Sequence, residues 1–248
     1  MLFHFYSIVT TPENKTMVES SSNSRLTEQY RAVQEQLAQA CAKSGRSVDD
    51  VQLLAVSKRH SVQSIEHIYQ LGQRAFGENY VQEAVEKSEA LSSLDIEWHF
   101  IGPIQSNKSR LVAESMHWVH TVDREKIARR LDEQRPSNMG PLNVLIQVNV
   151  SQQDSKSGIT LSDIPALAQL IDQLPNLELR GLMCIPAPAN ETDLEQDFMA
   201  MQSALNELRS HYPTVDTLSM GMSQDLELAV TCGSSMVRIG TAIFGQRD

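Results

Sequence analysis

The sequence predicts an α/β fold, a single (β/α)8 barrel of the TIM type with one helix before its first strand. Apolar segments rich in β-forming residues alternate with segments of helical periodicity along the chain. The apolar segments are continuous, which is typical of parallel strands covered by helices. The length of 248 residues agrees with the roughly 250 residues of such a barrel. These three observations favour a closed barrel over an open doubly wound sheet.

The first convincing element is an amphipathic helix at 24–44. Leu26, Tyr30 and Val33 recur at helical spacing, and Gly45 follows as a helix terminator. Because little chain remains after the eighth strand, we expect no full-length helix there. We expect the helix at 24–44 to cover that gap.

Eight strand candidates follow the first helix. They lie at 51–57, 73–77, 96–101, 117–121, 142–150, 177–184, 216–220 and 236–240. Helical patterns separate them at 62–71, 79–92, 106–115, 123–134, 162–174, 191–211 and 223–231. This strict alternation predicts a parallel sheet in which each strand is followed by a helix.

The domain organisation is simple. No repeat, low-complexity tract or linker divides 24–248, which we interpret as one barrel domain. Residues 1–23 are expected to be a disordered extension or a misassigned upstream start. Their apolar run lacks the basic region and cleavage site of a signal peptide and is shorter than the roughly 20 residues of a membrane span.

Charge and cysteine usage exclude several classes of protein. The chain has 21 basic and 31 acidic residues, a net charge of −10, which argues against broad affinity for nucleic acid or anionic membranes. The three cysteines, Cys41, Cys184 and Cys232, are far apart and form no CxxC motif. We therefore expect neither a disulfide framework nor a metal site, and we expect a cytoplasmic protein.

Lys58 lies where the first predicted strand ends. In barrels of this type the active site lies at the carboxyl-terminal ends of the strands. A lysine whose amine is neutral there can attack an aldehyde to form a Schiff base, and partial desolvation favours the neutral form. By itself, however, a lysine at a strand end is more often an ordinary solvated residue.

The loops after strands seven and eight are candidates for binding a phosphate group, which such barrels often hold at this place. Ser223 lies at the start of the predicted helix at 223–231, where unpaired amides favour an anion. Gly240 allows close approach of a phosphate to the backbone amides of Gly240 and Thr241. The alternatives are that Ser223 only caps a helix and that Gly240 only forms a tight turn.

The motifs of the chain, taken together, resemble one known family. They are AVSK (55–58), FGENYVQE (76–83), WHFIGPIQSNKSR (98–110), SKSGI (155–159), GLMCIPAP (181–188), SMGMSQDLELA (219–229) and VRIGTAIFG (237–245). In order and spacing they resemble the YggS/PROSC family of pyridoxal phosphate homeostasis proteins over roughly residues 25–247. The resemblance implies the barrel of the alanine racemase N-terminal domain, which is fold type III among pyridoxal phosphate proteins. It also implies that pyridoxal 5′-phosphate is bound covalently on Lys58.

Arg238 is the second strong candidate for a residue that binds the cofactor. It alternates in phase with Met236 and Gly240, so its side chain is expected to point into the barrel. The resemblance to the racemase implies contact with the pyridine nitrogen of the cofactor. An arginine can donate a hydrogen bond to that nitrogen but does not protonate it, which leaves a weak electron sink. The alternative is an ion-paired structural arginine.

Other candidates rest on single positions. Asn79 is placed to approach the phenolic oxygen of the cofactor, or else caps the helix at 79–92. His99 and Met183 lie on strands three and six near the mouth, or else only pack in the core. Lys156 is a candidate second amine for arriving or leaving cofactor, whereas Lys108 is expected to be exposed.

The predicted function is that of a monomeric pyridoxal phosphate carrier without fast catalysis. The resemblance implies a role in intracellular homeostasis, and apo-enzymes that depend on pyridoxal phosphate are the possible recipients. The catalytic β domain of the racemase is not expected after the eighth strand. Two alternatives remain open, a slow racemase-like enzyme and a cofactor-free barrel whose lysine forms a Schiff base with a phosphosugar.

Overall fold

A computed structural model describes residues 12–153, 156–187 and 193–246, with side chains from residue 23 onward. Within these residues eight parallel strands form a closed barrel in the order β1-β2-β3-β4-β5-β6-β7-β8. The strands are β1 (Gln52–Val56), β2 (Ala75–Glu78), β3 (Glu97–Phe100), β4 (Trp118–Val122), β5 (Leu142–Val148), β6 (Leu177–Cys184), β7 (Thr217–Ser219) and β8 (Met236–Ile239). The predicted (β/α)8 barrel and all eight strands are confirmed.

Helices surround the barrel. They are α1 (Pro12–Lys43), α2 (Val62–Gln70), α3 (Val81–Ala90), α4 (Ser109–Ser115), α5 (Glu125–Gln134), α6 (Ile164–Asp172), α7 (Leu194–His211), α8 (Leu226–Thr231) and α9 (Thr241–Phe244). A 3₁₀ turn at Ser106–Lys108 precedes α4, and α9 is a single turn that the sequence pattern did not predict. In the described chain no helix is long and apolar enough to cross a membrane.

The first helix is longer than predicted. It begins at Pro12 instead of residue 24, so residues 12–23 are helical although we expected them to belong to a disordered extension. Proline fits the first turn of a helix, and no further proline or glycine interrupts the chain before Gly45. Residues 1–11 lie outside the described residues, so the prediction of disorder for them stays a prediction. Helix α1 packs against α2, α8 and α9, and so covers the gap as expected.

Strand residues alternate between two apolar regions. Ala55 and Phe76 face outward and belong to the large core between the barrel and its helices. Leu54, Ala75 and Met236 face the barrel interior, where they form a small cluster. A side chain in phase with these three therefore points toward the barrel axis.

An irregularity in β6 changes which of its residues face inward. Its register with β5 shifts between Val144 and Leu145, so that one residue of β6 has no opposite partner. At Gly181 the backbone has φ +145°, and a Cβ there would lie 1.9 Å from the carbonyl oxygen of Thr217. Only glycine fits this position. After the shift, Met183 points into the barrel.

Candidate functional site at the barrel mouth

The mouth, by which we mean the carboxyl-terminal ends of the strands and the loops after them, contains Lys58. This residue follows β1 and is half-buried. A Cβ on Gly240 would lie 3.2 Å from the carbonyl oxygen of Val56, so the end of β1 lies directly against the turn after β8. The ring of His60 stacks on Phe244 of α9 at 4.9 Å between centroids. The segment that carries Lys58 and the turn that carries Gly240 and Thr241 are therefore neighbours.

The loop after β7 completes this side of the mouth. The amide of Arg238 donates to the carbonyl oxygen of Gly221 at 3.0 Å, which ties the loop to β8. Gly221 has φ +95°, and a Cβ there would lie 2.5 Å from the Cβ of Ala229. This loop therefore needs glycine.

Ser223 lies in the same loop. The sequence predicted that it begins a helix, and this prediction is wrong. Helix α8 begins at Leu226, and Asp225 is its N-cap residue. The carboxylate of Asp225 accepts a hydrogen bond from the amide of Met222, and the amide of Asp225 donates to the carbonyl oxygen of Met222. These bonds close a turn over 222–225 and delay the helix, so Ser223 does not cap it. Ser223 remains half-buried at the mouth.

Arg238 lies inside the barrel, as its phase predicted. The residue is 5% exposed. Its Nη1 donates to Ser219 Oγ at 2.8 Å, and its Nη2 donates to the carbonyl oxygen of Cys184 at 2.8 Å. Among the described residues it forms no ion pair, so the alternative of an ion-paired structural arginine finds no carboxylate partner. Burial lowers the pKa of Arg238, and Cys184 and Asp225 oppose that shift.

A continuous polar chain extends from Arg238 through the barrel interior. Ser219 Oγ lies 3.1 Å from His120 Nδ1, and His120 Nε2 lies 2.9 Å from His99 Nδ1. His99 Nε2 in turn lies 2.8 Å from Oε1 of Glu97. The chain thus joins the buried guanidinium to a carboxylate whose side chain is 39% exposed.

The hydrogen-bond polarity of this chain assigns both histidine tautomers. A guanidinium only donates and a carboxylate only accepts. Ser219 therefore accepts from Arg238 and donates to Nδ1 of His120, whose Nε2–H donates to His99. The Nε2–H of His99 then donates to Glu97. Both histidines are neutral Nε2–H tautomers in this arrangement.

The pKa shifts of the residues in this polar chain agree with the assigned tautomers. Burial lowers the pKa of His99, against the opposing effect of Glu97, and lowers the pKa of His120 well below 6.5. Burial also acts against the charged form of Glu97, but the hydrogen bond from His99, the charge that His99 gains on protonation in acid, and the hydrogen bond from Gln52 outweigh it and lower its pKa to about 2. The end carboxylate is therefore ionised and the two imidazoles are neutral at pH 7.

A scan against family models matches residues 29–248 to the alanine racemase N-terminal domain family. A pyridoxal phosphate homeostasis protein of Vibrio alginolyticus is 57% identical over 211 residues, which is 83% of this chain and 91% of the relative. The Escherichia coli protein of the same name is 52% identical over 221 residues, 87% of this chain and 94% of the relative. The chain belongs to the family of pyridoxal phosphate homeostasis proteins.

A solved structure of a relative has PLP bound. The structure of PipY from Synechococcus elongatus, described as having PLP bound, superposes with a TM-score of 0.72 and 36% identity. The match covers 84% of this chain and all of the PipY chain.

In this member of the family, Asn79 does not cap α3. The helix begins at Val81 with Tyr80 as N-cap residue and without a side-chain capping bond. Oδ1 of Asn79 is buried and has no hydrogen-bond partner among the described residues. A buried polar atom in that condition costs about 1–3 kcal/mol, so such atoms are uncommon and point to a missing ligand or water.

His99 and Met183 are fully buried, and each lies one residue before the carboxyl-terminal end of its strand. His99 is fully buried, both of its ring nitrogens form hydrogen bonds, and its ring stacks on Trp118 at 5.3 Å. Met183 packs against Trp118 and Leu145 inside the barrel. These contacts support the packing interpretation of Met183.

The remaining candidate lysines differ in environment. Nζ of Lys156 donates to the carbonyl oxygens of Ile185 and Pro186 at 3.3 and 2.5 Å, which draws the loop after β5 toward the loop after β6. Lys108 is exposed at the end of its 3₁₀ turn, as expected. In the described part of the chain, no group of three or more His, Cys, Asp or Glu side chains is arranged to hold a metal ion.

Sequence reasoning missed Glu97, His120 and Ser219. The available signal was strand phase, because Glu97 and His99 alternate on one face of β3, and a charged residue there interrupts an apolar strand. Their partners lie on other strands, and Ser219 is 99 residues from His120. Spacing along the sequence does not connect them.

Proposed function

We propose that this protein binds pyridoxal 5′-phosphate as a Schiff base on Lys58 and serves in the intracellular storage and supply of that cofactor. The observation that carries the proposal is the contact between the end of β1 and the turn after β8. Val56 approaches Gly240, and His60 stacks on Phe244, so a lysine amine and a phosphate-binding turn share one side of the mouth. The names of the relatives and the PLP-bound PipY structure support the same ligand.

The residues at the mouth suit the chemical groups of this cofactor. Lys58 supplies the amine for the aldehyde. Ser223 and the turn at Gly240 and Thr241 would bind the phosphate through a hydroxyl and backbone amides. The turn after β8 begins a helix, whose first amides have no partner within the helix.

Two further residues would contact the ring. Arg238 donates to Ser219 and to the carbonyl oxygen of Cys184, and its remaining N–H groups would be the donors for the ring nitrogen. Asn79, with its unpartnered buried amide oxygen, would lie near the phenolic oxygen. The orphaned oxygen supports the fit because it is an acceptor, and the phenolic hydroxyl of the cofactor, when it carries its proton, would donate to it.

Arg238 sets the strength of the electron sink that the bound cofactor would supply. When bound, the cofactor supplies an electron sink whose strength depends on protonation of its ring nitrogen. The guanidinium would donate a hydrogen bond there but keep its proton, because an arginine is a far weaker acid than a pyridinium group. A hydrogen bond to the ring without protonation of its nitrogen suits a protein that holds the cofactor and releases it to apo-enzymes. We place this protein in the cytoplasm as a monomer that binds no nucleic acid.

The test is a visible spectrum of the purified protein with pyridoxal phosphate, before and after borohydride, followed by peptide mapping. The expected result is a visible Schiff-base band that borohydride removes, with the reduced adduct on the peptide that contains Lys58. Lys58→Ala should lose the band, whereas Lys108→Ala, an exposed lysine on the same end of the barrel, should keep it. A full band in Lys58→Ala, trapped on another lysine, would overturn the assignment.

A further inference from the structure

A buried ionic cluster lies beside the segment that carries Lys58. Lys87 of α3 is 5% exposed, and its Nζ donates to Glu78 Oε1 at 2.8 Å, to Glu83 Oε1 at 2.6 Å and to the carbonyl oxygen of Ser57 at 2.8 Å. An ammonium group has three N–H donors, and all three are used. Ser57 Oγ also donates to Glu78 Oε1, at 2.6 Å. The residue directly before Lys58 is therefore bound through both its side chain and its carbonyl group.

The residue directly after Lys58 is bound by the same cluster. The amide of Arg59 donates to Glu83 Oε1 at 2.5 Å. Arg59 has φ +64°, a left-handed conformation that is unfavourable for a residue with a side chain. The carboxylate of Glu83 thus accepts a hydrogen bond from the amide of this residue. The guanidinium of Arg59 donates to the hydroxyl of Tyr80 at 3.0 Å. Helix α3 and its N-cap thus hold the turn in place.

Two features make this cluster more than an ordinary helix contact. Its acceptor Glu83 and its donor Lys87 are one helical turn apart on α3, and together they hold the two residues that flank Lys58. A conformation that is costly by itself also persists only where its surroundings determine it, and such residues concentrate at functional sites.

We propose that Glu83 and Lys87 are positioning residues for the Schiff base on Lys58. The proposal rests on the proposed function, namely that the amine of Lys58 reacts with the aldehyde of pyridoxal phosphate. In that reaction the lysine nitrogen and the aldehyde carbon form a C=N bond, and one molecule of water leaves. The equilibrium favours the bond only if the amine lies at bonding distance when ring and phosphate are seated. The cluster fixes the backbone on both sides of that amine.

The proposal predicts a difference between two ligands. Pyridoxine 5′-phosphate has the same ring and phosphate but a hydroxymethyl group in place of the aldehyde, so it forms no bond to lysine. Loss of the cluster should weaken pyridoxal phosphate and leave pyridoxine phosphate nearly unchanged. A general disturbance of the mouth would weaken both.

The experiment measures the affinity of both ligands for wild type, Glu83→Ala, Glu83→Gln and the control Glu86→Ala. Glu86 is an exposed carboxylate on the same helix that accepts a hydrogen bond from Gln82. We expect Glu83→Ala to bind pyridoxal phosphate about tenfold more weakly, which corresponds to one lost charge-assisted hydrogen bond. We expect Glu83→Gln to lie between wild type and Glu83→Ala, because its amide oxygen still accepts but carries no charge.

The outcomes separate the two proposals. Absence of a Schiff base in wild type refutes the proposed function and, with it, this inference. If wild type forms the Schiff base but Glu83→Ala binds both ligands like wild type, or loses affinity for both equally, only the positioning role is refuted. Glu83→Gln keeps the acceptor atom and provides the same comparison if Glu83→Ala fails to fold.

Discussion

Arg238 and Ser219 lie on neighbouring strands inside the barrel, and Nη1 of Arg238 donates to Ser219 Oγ at 2.8 Å. Because this hydroxyl also contacts His120, it is the junction between the buried guanidinium and the two neutral imidazoles. A serine can do this because it donates and accepts at the same oxygen.

Removal of this junction should destabilise the fold. Ser219→Ala leaves His120 Nδ1 and one N–H of Arg238 without their partner inside the barrel, which costs about 1–3 kcal/mol. Urea denaturation followed by circular dichroism measures the loss. Ser210→Ala, which alters an exposed hydroxyl at the end of α7, should change the free energy of unfolding by no more than about 0.5 kcal/mol. Equal effects of the two substitutions would contradict the role of Ser219.

The lowered pKa of Glu97 predicts a dependence of stability on pH. Its pKa in the folded state is about 2, below the ordinary 4.5, so the unfolded chain binds a proton first as the pH falls. The stability that Glu97 contributes is present above about pH 4.5 and is lost as the pH falls toward about 2. The difference in free energy of unfolding between wild type and Glu97→Gln should shrink over this range. The same substitution at exposed Glu133 is the control, and a difference independent of pH would refute the prediction.

The proposed phosphate-binding role of Ser223 predicts selectivity between two ligands. Ser223→Asp places a negative charge beside a phosphate group of about −1.5 to −2 charge, so it should weaken pyridoxal phosphate far more than pyridoxal. Spectral titration with both compounds measures the two affinities. Ser137→Asp adds the same charge at an exposed position at the opposite end of the barrel and should spare both ligands. Equal losses for both ligands in Ser223→Asp would show that Ser223 does not face the phosphate.

The buried ion pair of Lys87 predicts a large loss of stability. Burial raises the pKa of Glu78, and the ammonium of Lys87 opposes that shift. Lys87→Met removes the partner and should destabilise the fold by about 3–5 kcal/mol, because it leaves a buried charge uncompensated. The double variant Lys87→Met with Glu78→Gln should recover part of the loss. Chemical denaturation provides the measurement, with exposed Lys126→Met as the control, and no recovery in the double variant would contradict the pairing.

The carrier proposal predicts slow chemistry at amino acids. If the protein holds the cofactor without fast catalysis, loss of an α-proton from a bound amino acid should be slow. NMR in deuterated water measures α-proton exchange of L- and D-alanine and of a wider panel. Apo-enzymes mixed with the loaded protein should nevertheless regain activity. Exchange at about 1 per second or faster for any amino acid would favour the racemase-like alternative.

The sequence by itself determined the barrel, because the two periodicities of strand and helix depend on residues close together in the chain. It also placed Lys58 at the carboxyl-terminal end of β1, because that end follows from where the apolar run stops. It predicted that Arg238 points into the barrel, because strand phase alone decides which face a residue takes. Helix ends were less predictable. Asp225 closes a turn before α8, and that contact displaced the predicted helix start from Ser223.

Only the tertiary structure decided the partners of these residues. The chain from Glu97 to Arg238 joins side chains of four strands, and closure of the barrel brings them within hydrogen-bond distance. The burial of Lys87 also depends on tertiary contacts. A lysine within a helix is ordinarily solvated. Lys87 is buried because the ends of β1 and β2 supply acceptors 30 and 9 residues away in the sequence. Local pattern determines which face a side chain takes, whereas a hydrogen bond across the barrel depends on three-dimensional distances that no local pattern contains.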